Sequence, residues 1–163
     1  MSAGGRNIWF NRLHAETVFV DIRPEMTPTV VCDTTALPFH SDFFDLIVFD
    51  PPHVTHGAGS KMAEYYGAFP ASVIRDLVKR SGSEAFRVAK PNAMMAFKWN
   101  DHDVKLQRVI DLMEGWEPLF AQKVAGRSKH RSGSYWVMLR KRPGLYQNES
   151  QMTRVLEYVE GNI

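Results

Sequence analysis

Four short apolar runs punctuate the first hundred residues, each closed by a polar or turn-forming residue. TVFVDIRP (17–24) ends on Asp21 and then Pro24, TVVCD (29–33) stops on Asp33, and FDLIVFD (44–50) stops on Asp50. AMMAFKW (93–99) follows KPN, a turn signal. Their β-branched and aromatic content predicts strands. Between the last two, PASVIRDLVKRSGSEAFRVAK (70–90) places Val73, Leu77, Val78, Ala85, Phe86 and Val88 on a helical stripe, with Ser81-Gly82 as a weak point. DHDVKLQRVIDLMEG (101–115) predicts a second helix. Its Val104, Leu106, Val109, Ile110 and Met113 lie on or near one face, and Gly115 stops it. The Asp-His-Asp start reads as capping and dipole compensation rather than as a metal site. WEPLFAQKV and SYWVMLRKR then predict a strand hairpin, because no helical pattern separates them.

Strands alternating with helices imply an α/β fold with a mostly parallel sheet covered on both faces and an antiparallel C-terminal hairpin. Ligands of such sheets bind at the carboxyl ends of the strands. Three of those ends carry Asp21, Asp33 and Asp50. One acid after a strand is ordinarily a turn former or helix cap. Three in succession would line one rim, and Pro51-Pro52 removes backbone freedom directly after the third.

The 163 residues, 44% hydrophobic and 12% aromatic, suit one domain with a single core. It is expected over residues 1–143, followed by a tail at 144–163 whose Met152, Val155, Leu156 and Val159 have amphipathic helical spacing. No apolar run approaches the roughly 20 residues of a membrane span, and no charged-then-apolar leader opens the chain. The expectation is a soluble cytoplasmic protein that does not engage membrane. The single cysteine, Cys32, excludes an internal disulfide framework and a Cys-rich zinc site, and no metal is expected. A net charge of +2 says little, but its distribution says more. Lys123, Arg127, Lys129, Arg131, Arg140, Lys141 and Arg142 fall in one stretch without an acid. Two readings stand: a solvated loop between strands, or an edge facing nucleic-acid phosphates.

LPFHSDFFDLIVFDPPH (37–53) and RVAKPNAMMAF (87–97) resemble the core of class I S-adenosylmethionine (SAM) dependent methyltransferases, in which LPF-x-x-x-x-FD leads into one strand and KPNG into the next. Asp50-Pro51-Pro52-His53 resembles the Asp-Pro-Pro-aromatic element of the amino methyltransferases. Together with GGRNIWF (4–10) and FKWN (97–100), it is similar to a compact phage-associated group. The likeness covers about residues 4–141. It implies a three-layer Rossmann-like sheet and methylation of an exocyclic amine of nucleic acid, above all DNA adenine N6, with DNA favoured over RNA. It also implies the cytoplasm of a bacterial or phage-infected cell.

The resemblance also implies roles for individual residues. Asp50 and the Pro51 carbonyl would accept hydrogen bonds from the amine and turn its lone pair toward the methyl group, while Pro52 stiffens the turn. His53 would stack on the base, although a plain turn residue or a titrating acid/base are also open readings. Asp21 would hold the cofactor ribose, Asp33 its adenine amine with Thr34 beside it, and Gly4-Gly5 the methionine end. Arg6 either touches the cofactor carboxylate or is a surface charge. Lys61, Tyr65 and Tyr66 belong to an insertion (54–69) that reads as a lid or an irregular loop. Lys98, Trp99 and Asn100 lie at a strand end beside the rim, with Trp99 either in the core or walling a base pocket. Arg127, Lys129 and Arg131 would meet the substrate backbone.

Two departures bear on competence. Ala93 replaces the usual glycine, and only three residues precede Gly4, too few for the first strand of such a sheet. The open edges would require covering by the N-terminal segment, by a second copy or by a partner subunit. The alternative reading is a catalytically impaired, methyltransferase-like subunit that binds a protein or nucleic-acid partner.

Overall fold

A computed structural model of the chain describes residues 4–52, 69–124 and 133–142. In chain order its elements are β1 (Val20–Asp21), a 3-10 turn (Pro24–Met26), β2 (Val30–Val31), β3 (Phe44–Phe49), α1 (Ala71–Val88), β4 (Ala89–Asn100), α2 (Leu106–Ile110), β5 (Trp116–Lys123) and β6 (Ser134–Lys141). β3 to β6 form one sheet in the order β3-β4-β6-β5, while β1 and β2 form a separate parallel pair. The crossover logic of an α/β unit is met by β3-α1-β4, whose strands pair in parallel. β5 and β6 make the expected antiparallel hairpin. The sheet is therefore mixed, as an α/β fold with a C-terminal hairpin requires.

Several expectations need correction. The second helix is reduced to α2, which begins at Leu106, so the Asp-His-Asp triplet does not cap it. Asp101 instead accepts from the Gly133 amide and ties the end of β4 to the start of β6, while Asp103 pairs with His102. The α1 stripe holds at Val78, Ala85 and Val88, but in its first turn Ile74 is buried and Val73 is 47% exposed. Finally, the described residues cover one sheet face, not both. Ile47 and Phe49 of β3, Met95, Phe97 and Trp99 of β4, and Val137 and Leu139 of β6 are buried with Ile74, Val78, Ala85 and Val88 of α1 in one cluster. The alternating residues Leu46, Met94, Ala96 and Met138 are half-buried or exposed.

Ser81-Gly82 is a contact, not a weak point. Both residues are buried in α1. The Ser81 and Thr34 hydroxyls share a 2.8 Å hydrogen bond, and the Gly82 carbonyl accepts from the Trp116 indole at 3.1 Å. A Cβ on Gly82 would come within 3.4 Å of Met113. Further along α1, Arg87 donates to the Leu37 and Phe39 carbonyls, and Glu84 accepts from the Leu37 amide. This clamp fixes the LPF loop before it enters β3. Hydrogen bonding from Arg87, outweighing the opposing effect of burial, holds the Glu84 carboxyl below its ordinary pKa. Among the described residues no helix is long and apolar enough to cross a membrane.

Gly115, with φ +82°, closes the turn before β5, and a Cβ there would lie 2.4 Å from the Phe86 ring. Gly115→Ala should lower the stability of the fold by about 2 kcal/mol or more, combining the left-handed backbone with the ring clash. A urea-unfolding midpoint equal to that of the parent chain would contradict this.

Candidate active site

The hydrophobic alternation that packs β3 on β4 also places polar atoms. Phe49 pairs in register with Phe97, both fully buried. The next residue on each strand therefore points to the other face. Those residues are Asp50 and Lys98, and the Lys98 ammonium donates to Asp50 Oδ2 at 2.8 Å. Each side chain is about a quarter exposed (25% and 26%), so the pair is partly desolvated and its charges remain reachable. Pro51 is buried and Pro52 half-buried, which anchors the turn that carries the carboxylate. The Lys98 ammonium also lies 6.0 Å from the centroid of the Trp136 ring.

A second carboxylate is held at the end of β1. Asp21 is only 3% exposed. Its Oδ2 accepts from the Gly4 amide at 2.9 Å, its Oδ1 accepts from the Arg23 amide and Nε, and the far Arg23 nitrogen reaches Oδ2 at 3.4 Å. Burial pushes this carboxyl up, but the Arg23 side chain together with the Gly4 and Arg23 amides outweighs it, so the pKa lies below the ordinary value. Four donors occupy the roughly four lone-pair directions of a carboxylate. A ligand hydroxyl bonding to Asp21 would have to take the place of an Arg23 contact. Gly4 reaches this position through a backbone at φ +47° that favours glycine.

Asp33 differs from both. It is exposed, and the Thr35 amide donates to its Oδ1, which forms a local turn. Asp21, Asp33 and Asp50 all line one cavity of about 1400 Å³, as do Gly4, Gly5, Arg6, Thr34, Pro52 and Lys98. The cavity gathers nine of the twelve described residues expected at the site.

Three of the expected residues are used elsewhere. Trp99 is fully buried, stacks on Phe97 and donates its indole N–H to the Val104 carbonyl, so it belongs to the core rather than to a base pocket. Asn100 donates to the Ser134 hydroxyl and accepts from the His102 amide, which fastens the end of β4. Pro51 is buried beneath the turn. Two cavity-lining residues also carry structural duties. The Thr34 hydroxyl is committed to Ser81. Arg6 is no surface charge: its guanidinium donates to the Arg12 and Thr27 carbonyls and lies over the Phe19 ring at 4.2 Å. It staples two loops onto β1.

The basic stretch is partly neutralised. Arg140 pairs with Glu117 at 2.6 Å, and Lys141 pairs with Asp42 at 3.0 Å and donates to the Ala89 carbonyl. Those two cations are anchored within the fold rather than offered to phosphate. His53, Lys61, Tyr65, Tyr66, Arg127, Lys129 and Arg131, and the tail from 144 onward, lie outside the described residues. Arg23, which lines the cavity and holds Asp21, is the residue that sequence reasoning passed over. Its spacing two residues after a strand-end acid, before a proline, was the available signal.

No protein-family model matches the chain, and no curated protein sequence matches it. Among solved structures, the N-methyltransferase NodS from Bradyrhizobium japonicum WM9 is similar, with a TM-score of 0.51, 12% identity, and coverage of 76% of this chain and 72% of NodS. Its complex with S-adenosyl-L-homocysteine gives a TM-score of 0.51 and 14% identity, over 76% of this chain and 65% of that one. Weaker matches include the [4+2]-cyclase SpnF, at 13% identity and a TM-score of 0.48 over 71% of this chain. A candidate DNA modification methylase from Thermus thermophilus, complexed with S-adenosyl-L-methionine, matches at 20% identity and a TM-score of 0.47 over 76% of this chain. The chain spans 56% of the cyclase and 58% of the methylase in length. The structural likeness to NodS shows a shared fold.

Asp21 supplies a pH-dependent contribution with a defined sign. Because its folded pKa lies below the ordinary 3.8, its stabilisation is fully present above that value and is lost as pH falls through the lower folded one. Asp21→Asn should cost about 2 kcal/mol at neutral pH, and the gap to the parent should close below pH 3.8. Urea unfolding across the acid range checks this; a gap that persists unchanged at the lowest pH would contradict it.

Proposed function

We propose that the protein is a SAM-dependent methyltransferase that acts on an exocyclic amino group of nucleic acid, with DNA adenine N6 as the first candidate. The observation that carries the reading is Asp50, at the end of β3 and followed by the Pro51-Pro52 turn, lining the same cavity as Asp21 and Asp33. An exocyclic amine is a weak nucleophile because its lone pair is delocalised into the ring. Fixed acceptors on its two N–H groups turn that lone pair out of the ring plane. Asp50 is the acceptor on the cavity side; the Pro51 carbonyl would be the second only if the turn that buries Pro51 shifts when substrate binds. In a duplex the base must leave the stack to reach them.

Lys98 has a defined part in this reading. By holding Oδ2, it orients the carboxylate and leaves Oδ1 to face the amine. The cofactor supplies a methyl group on a positively charged sulfonium. Six carboxylates line the cavity against three cations, Arg6, Arg23 and Lys98, which suits a ligand of net positive charge. Asp21 would hold the ribose once Arg23 yields, and Asp33, exposed at the rim, would meet the adenine amine. Gly4 and Gly5 would admit the methionine end, with Gly4 in a left-handed backbone that disfavours a side chain. His53 would stack on the base, with Lys61, Tyr65, Tyr66, Arg127, Lys129 and Arg131 contributing substrate contacts.

The saturation of Asp21 by Arg23 favours one alternative, a methyltransferase-like subunit that binds a partner and has lost turnover. Calorimetry with SAM separates the two: heat that disappears in Asp21→Ala supports the enzyme, and its absence in the parent supports the subunit. For the chemistry, transfer of tritiated methyl from SAM to DNA is expected, with Asp50→Ala reducing turnover about 100-fold or more while SAM binding is retained. No incorporation into DNA or RNA by protein that binds SAM would remove the substrate assignment.

A further inference from the structure

Asp50 and Lys98 line the cavity as an acceptor beside a donor. Lys98 stands on a central strand, with β3 on one side and β6 on the other. Its ammonium donates to Asp50 Oδ2 at 2.8 Å and lies 6.0 Å from the ring of Trp136, its register partner on β6. The ammonium is thus bracketed from both neighbouring strands. The exposed Lys90–Asp45 pair is built differently, because Lys90 donates to both oxygens of Asp45, at 2.9 and 2.7 Å. Lys98 takes one oxygen only. Donor and acceptor therefore stand side by side rather than closed on each other.

The other two cations of the cavity wall are committed elsewhere. Arg6 donates to two carbonyls, and Arg23 to Asp21. An ammonium carries three N–H donors, and among the described residues Lys98 donates one hydrogen bond. Both members of the pair border the cavity with about a quarter of each side chain exposed, at 25% and 26%. Such a pair does more than hold a carboxylate still. It presents an acceptor and, next to it, a donor. The matching ligand edge has the reverse order, an N–H beside a lone pair.

We infer that Lys98 reads the substrate directly: it donates to the ring nitrogen beside the amine whose N–H Asp50 accepts, so the pair selects a neutral nucleobase amine flanked by a ring acceptor. This rests on the proposed methyl transfer to a base and adds the group that recognises the ring. Adenine and cytosine both carry such an edge, adenine in N6 with N1 or N7 and cytosine in N4 with N3. An alkylammonium is refused on two counts. It has no neighbouring lone pair, and its charge would meet that of Lys98. A base that keeps the amine but lacks the ring nitrogen is refused as well, because a partly desolvated ammonium would lose its acceptor.

Tritiated methyl transfer from SAM to a mixed-sequence single-stranded DNA oligonucleotide tests it, with all adenines replaced by 1-deazaadenine or by 7-deazaadenine. Each analogue keeps the exocyclic amine and lacks one ring nitrogen; 3-deazacytosine does the same for cytosine. With the parent chain, kcat/KM should fall about 10-fold or more for one of these analogues, and which one identifies the edge that is read. In Lys98→Met, which has no donor, natural and analogue oligonucleotides should be equivalent, the ratio being read as oligonucleotide affinity where turnover is lost. Comparing ratios between parent and variant cancels the effect of the analogue on the amine itself. Lys98→Arg, which keeps donors, should preserve the discrimination. Equal kcat/KM on every analogue with the parent chain would overturn the inference whatever the variants do. Discrimination that survives unchanged in Lys98→Met would also overturn it, because Lys98 would then only position Asp50. Methylation of polylysine by the parent would be a third refutation. Transfer to DNA without discrimination removes this inference and leaves the proposed function standing. No transfer to any nucleic acid by protein that binds SAM removes both.

Discussion

The parallel register of β3 against β4 is the constraint on which the rest depends. Phe49 sits beside Phe97, ring centroids 5.7 Å apart, and Phe97 stacks on Trp99. These three rings are fully buried and leave little room for a slip. A shift of one residue would send the rings to the exposed face and bring Asp50 and Lys98 inward. Burial of the rings thus aims a carboxylate and an ammonium at the same point on the opposite face. The polar site is a by-product of hydrophobic alternation, which explains why a short fold can hold it so firmly.

Electrostatics refines what packing positions. Asp21 and Asp50 each meet a cation, yet in different ways. Arg23 surrounds Asp21 with a fork of donors from two residues away, whereas Lys98 touches one oxygen of Asp50 from a neighbouring strand. Arg and Lys are not equivalent partners: the planar fork saturates a carboxylate, the ammonium leaves part of it open. The more buried acid is accordingly the more occupied one. Asp50 keeps a quarter of its side chain exposed, and Asp33 remains exposed at the rim.

Several residues show where sequence reasoning succeeds and where it stops. The apolar runs and turn residues located β3, α1, β4 and the hairpin, because alternation and helical spacing are local properties. β1 and β2 came out as two-residue ladders rather than full runs, since strand length depends on a neighbour to pair with. Trp99 and Asn100 followed Lys98 in the motif, but the strand period sent Trp99 to the core, and Asn100 found a partner on β6. Ser81-Gly82 read as a flaw in a helix. Its reason is the close approach of Met113 and Trp116 from a distant part of the chain.

The linear pattern by itself determined the alternation of apolar strands with a helix, the acids that end three of those strands, and the stiff Pro-Pro turn after Asp50. These follow from side-chain chemistry and spacing over a few residues. The tertiary structure alone decided which polar groups meet: Lys98 with Asp50 across a ladder, Thr34 with Ser81 across 47 positions, and Arg87 with the LPF loop across 48 and 50. It also decided that β1 and β3 leave a cavity between them. Pairing and gaps depend on three-dimensional distance, to which spacing along the chain is blind.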